Sequence, residues 1–136
     1  MVTVMLSLLL AAGDADEVAA LVKRAQAFAV KPEATWAEAH YFEYSDGVAA
    51  WRKQARALQE RPTLTRRDAV KLLEAHRRVV ENYRALLAVQ PVPKSMTALG
   101  EQAVAVWKDS ISKWMRALDA EAAALKEEAR RRASSR

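Results

Sequence analysis

Residues 65–89, TRRDAVKLLEAHRRVVENYRALLAV, decide the fold. Ala69, Leu72, Leu73, Val79, Val80, Tyr83, Leu86 and Leu87 recur in steps of three and four, the spacing of one face of an α-helix. His76 falls on the same stripe. Thr65 stands just before it, where a hydroxyl can accept one of the free backbone N–H groups of a first turn. The opposite face is charged, and Glu74 with Arg78 and Arg77 with Glu81 have the i,i+4 spacing of helical ion pairs.

Such a helix must bury its stripe against other elements, so the flanking sequence has to supply them. Arg61-Pro62-Thr63-Leu64 is a short link, which predicts an antiparallel neighbour upstream. That neighbour carries Ala37, Tyr41, Tyr44, Val48, Trp51, Ala55 and Leu58, a seven-residue rhythm suited to coiled-coil-like packing. Thr35 and Glu38 have the spacing of a capping box at its start. Ser45-Asp46-Gly47 interrupts it and predicts a kink or a short break. Further upstream, Val18, Leu21, Val22, Ala25, Phe28 and Ala29 mark a helix from Asp14 to Val30. Acidic residues lie at its positive end, and Lys31-Pro32 stops it.

Downstream, Pro91-Val92-Pro93 ends the central helix. A last helix runs from about Thr97 toward Arg130 on the stripe Val104, Trp107, Ile111, Trp114, Leu118, Ala122, Leu125 and Ala129. It is longer than its neighbours can cover, and residues 133–136 are expected to fray. Three glycines and four prolines in 136 residues leave helix formers in command. The expected fold is all-α: an antiparallel bundle of about four helices with short loops and a long C-terminal helix, one domain over residues 14–132.

Residues 2–12, VTVMLSLLLAA, are uncharged and apolar. The run is too short to span a bilayer as a helix. It has the length of a signal-peptide core, with Ala11-Ala12-Gly13 as a cleavage region, yet no Lys or Arg precedes it. The alternative is a buried N-terminal helix or strand. Export and retention in the cytoplasm both stay open.

The chain has no cysteine, which excludes disulfides, thiolate metal sites and cysteine nucleophiles. The net charge of +5 is uneven: residues 1–60 hold six basic and eight acidic side chains, so the surplus lies in the second half. Arg66, Arg67, Lys71, Arg78, Arg130, Arg131 and Arg132 are therefore candidates for contacts with nucleic acid or another polyanion. Interleaved Glu74, Glu81, Glu127 and Glu128 favour a solvated, salt-bridged face instead.

The two histidines, His40 and His76, are the candidate chemical groups. On the central stripe, His76 reads as a core residue hydrogen-bonded to Ser110 or a backbone carbonyl, level with Ile111 if the chain reverses at Pro93. His40 has an i,i+3 partner in Glu43, a spacing found in helical carboxylate metal sites. His76 is too far along the bundle to complete such a site. No phosphate loop, paired-histidine motif or nucleophile elbow is present, so no catalytic residue, metal or cofactor is assigned. Trp36, Phe42 and Trp51 belong to an aromatic cluster denser than a core needs, and they are the candidates for a partner surface. The expected function is a non-enzymatic bundle acting through protein–protein contacts, a second copy included. Polyanion binding is the alternative, and a histidine-dependent ligand site is a weaker one.

Overall fold

A computed structural model describes residues 13–29 and 38–134. Four long helices account for most of them, with no strand among the described residues. They are α1 (Gly13–Ala25, continued by a 3₁₀ turn over Gln26–Ala29), α2 (Glu38–Gln59), α3 (Arg66–Val89) and, after a short α4 (Lys94–Ala98), α5 (Glu101–Ser134). The apolar run 2–12 and the expected capping box at Thr35 lie outside the described residues.

The organising element is α3. Thr65 caps it as its spacing predicts, the side chain accepting from the Asp68 N–H at 3.2 Å. Every residue of its stripe is buried. Ala75 is buried too, because α3 is covered on more than one side: α1 and α2 pack against it, and α5 runs along it in the most extensive contact of the molecule. Fully burying side chains such as Leu72 and Leu86 is worth about 1.5–3 kcal/mol each.

Directions follow from side-chain pairs. Trp51 meets Leu21, and Arg61 meets Asp14 and Glu17, so α1 and α2 are antiparallel. Ser45 meets Tyr83 and Gln59 meets Ala69, which makes α2 and α3 antiparallel. Tyr83 faces Trp114 and His76 faces Glu121, so α3 and α5 are antiparallel as well.

Three expectations need correction. First, α2 is continuous through Ser45-Asp46-Gly47, so of the expected kink or short break the break does not occur. Ser45 spends its hydroxyl on Tyr83, at 2.5 Å, and Gly47 makes room for Phe28, whose ring would lie 3.2 Å from an added Cβ. The glycine serves helix packing, not a break. Second, the reversal after α3 is not at Pro93. Pro93 opens α4, and Gly100 at φ 106° then turns the chain into α5. This longer connection moves the register of α5, so His76 lies level with Glu121 and not with Ile111. Third, the Glu74–Arg78 ion pair does not form, whereas Arg77–Glu81 does at 2.9 Å.

The long C-terminal helix is present: 34 residues, about 51 Å at 1.5 Å per residue, against 24 residues in α3. It reaches Ser134, two residues into the stretch expected to fray. Only Leu118 and Ala129 of its stripe are fully buried.

Candidate functional site

α2 and α5 both pack on α3 but make little backbone contact with each other. Long side chains bridge the space between them, and the chemistry of the molecule gathers there. At its centre lies the Glu121 carboxylate, reached from two other helices. Arg52 of α2 bonds one oxygen, and Arg56, one turn on, bonds the other at 2.7 Å. From α3, His76 brings its Nε2 to 3.5 Å of the same carboxylate, too loose for a good hydrogen bond.

Burial alone would push the Glu121 pKa up. Contacts with His76, Arg52 and Arg56 overturn that and hold the carboxyl well below the usual carboxylate range. Glu121 is thus an ionised tie between helices, not a proton donor at neutral pH. His76 is 4% exposed and lies against the edge of Trp51, with ring centroids 5.7 Å apart. The register places Glu121, and not the expected Ser110, beside His76, whose Nε2 makes no hydrogen bond.

One side of the node is sealed. Trp51 is 2% exposed and donates its indole N–H to the Leu21 carbonyl at 2.9 Å. It therefore cannot belong to a partner surface, which corrects the sequence reading. The indole fills the junction of α1, α2 and α3, and its polar edge is satisfied inside.

The other side is open. Trp114 stands on α5, edge-on to Tyr83, with the Arg52 guanidinium 5.9 Å from its ring centroid. It remains 41% exposed although its position on the apolar stripe marks it for the core. Phe42 of α2 leans on Tyr41, and Tyr41 reaches Trp107, two turns from Trp114 along α5. Phe42 is 40% exposed. Helical periodicity puts the exposed Ala49, Ser110 and Ala117 on the same edges. Trp36, the third aromatic candidate, lies outside the described residues.

The basic candidates divide. Arg66 and Arg67 are exposed at the start of α3, and antiparallel packing brings the C-terminal end of α5 to that same end of the bundle. There Arg130 is paired with Glu127, and Arg131 and Arg132 with Glu128. Lys71 and Arg78 line a groove between α1 and α3 that also carries Lys23, Asp68 and Glu74.

Among the described residues no group of three or more His, Asp or Glu side chains is placed to hold a metal. Likewise no described helix is long and apolar enough to cross a membrane. His40 is an exposed residue of α2, remote from the Glu121 node. The result is a small all-helical domain without an enzymatic motif, built so that it can take part in protein contacts. Comparison with known protein families, curated proteins and solved structures finds no significant similarity.

Proposed function

We propose that the protein is a non-enzymatic bundle that works by protein–protein contact through the open α2–α5 face, with a second copy of itself as partner. The observation that carries this reading is the exposure of Trp114 and Phe42 on facing edges of α2 and α5. Two large aromatics left half uncovered, with small side chains between them, give the anchor-and-slot surface that helical partners use. Glu121 supports the reading as well. Paired from within with Arg52 and Arg56, it fixes the spacing of the two helices.

The rival polyanion reading is weaker, because the three clustered arginines of α5 are each committed to a glutamate of their own helix. Exposed pairs of this kind contribute little to stability, but they lower the local positive field.

Sedimentation equilibrium at tens of micromolar tests the proposal. The intact chain is expected to self-associate, and Trp114→Ser combined with Phe42→Ser is expected to weaken association by at least about thirtyfold, the scale of a single hot spot. A strict monomer, or a dimer indifferent to both substitutions, would remove this face as the self-association surface.

A further inference from the structure

We propose that the groove where α3 ends against α5 is a binding site for a single-chain amphiphile with a carboxylate head. The chain lies on Leu87, Trp107, Ile111 and Met115, and the head lies at Lys108 and Ser112. This site adjoins the self-association surface at Tyr41 and Trp107, but the exposed Phe42 and Trp114 are not part of its lining.

The groove has a volume of about 450 Å³, within the range of small-molecule sites. It is walled by the last turn of α3, the segment that follows it and α5. Trp107, Ile111 and Met115 pack on the core but are only half-buried, so each keeps apolar surface in reserve at the groove. Met115 adds an unbranched, polarisable side chain that adapts to the shape of what it covers.

The polar lining has one sign. Among the described residues Lys108 is the only charged one of the wall, and no carboxylate of theirs lines it. Asp109, the next residue in sequence, is engaged elsewhere, holding Lys113 at 2.9 Å. Ser112 follows Lys108 by one helical turn, which places an ammonium and a hydroxyl side by side on one edge of α5. A carboxylate accepts from both. A cationic head is repelled, and a neutral head forgoes the charge. The groove between α1 and α3 is of similar size but lacks this asymmetry, because Asp68 and Glu74 offset its cations.

The test is calorimetric titration of the intact chain with decanoate, 1-decanol and decyltrimethylammonium below their micellar concentrations, with the change in total tryptophan emission as a second signal. Decanoate is expected to bind saturably and most tightly, and the ammonium amphiphile least. Lys108→Gln should lower decanoate affinity by up to about fivefold, as for an exposed ion pair, and leave decanol unchanged. Ala88→Trp, which lays a ring across the groove from an exposed position of α3, should abolish binding of both. Lys126→Gln, an exposed lysine elsewhere on α5, should change nothing. Absence of saturable decanoate binding, equal affinity for the cationic amphiphile, or binding that survives Ala88→Trp would each overturn the proposal.

Discussion

Glu121 is the residue whose environment departs furthest from that of a free side chain. It is held by Arg52 and Arg56, with His76 beside it, and its pKa lies below the ordinary value of 4.5. A carboxyl whose folded pKa is depressed stabilises the fold at pH values above its unfolded pKa, and that contribution fades as pH falls through the folded value. Glu121→Gln should therefore cost about 2 kcal/mol at pH 7, between the cost of breaking a buried pair and that of an exposed one. Much of this reflects the buried Arg52 guanidinium left without its counter-charge. Below about pH 4.5 the carboxyl protonates in the unfolded chain while the folded one stays ionised, so the gap between wild type and variant should narrow. Urea denaturation of both proteins at pH 7 and pH 3 checks the sign. A gap that is constant across that range would mean that the carboxylate charge does not tie α5 to α2. Of this node only the burial of His76 was legible from sequence. Arg52, Arg56 and Glu121 sit on charged faces when each helix is read alone, and only the three-helix register brings them together.

At the scale of elements, legibility followed how completely each helix is surrounded. α3 was readable because nearly all of it is buried, and its apolar stripe and Thr65 cap carry over to the structure. Trp114 was misread for the converse reason. Its stripe position is right, but α2 stands too far from α5 to cover it, and single-helix periodicity carries no information about that distance. The register of α5 was missed because the turn is longer than its prolines suggest. Gly100 fixes that turn at φ 106°, a conformation L-residues rarely adopt, and an added Cβ would meet nothing within 4 Å. Gly100→Ala therefore isolates the backbone cost, free of any clash. It should lower stability by about 1–3 kcal/mol with an unchanged urea m-value. A neutral result would mean that the α4–α5 junction can adopt another conformation at no cost, and the α3–α5 register would then have to be set by packing alone.

For the whole molecule, the consequence of a hub helix is unequal local stability. α1, α2 and α5 each pack on α3, whereas α2 and α5 meet mainly through the Glu121 node and the Tyr41–Trp107 contact. Opening α3 exposes the shared core and breaks its interfaces with α1, α2 and α5 together, so its amides exchange through global unfolding. The first turns of α5 are different. Val106 is 66% exposed, no residue of 101–106 is fully buried, and antiparallel packing at this register carries them beyond the end of α3. They can fray without disturbing Leu118 or Glu121. Native-state hydrogen exchange should accordingly place residues 72–87 at the highest protection, equal to the free energy of global unfolding. Protection along α5 should rise from near zero around residue 104 to a plateau near Leu118. Uniform protection along α5 would show that something covers its first turns in solution, and a dependence of that protection on protein concentration would identify the cover as a second copy of the chain.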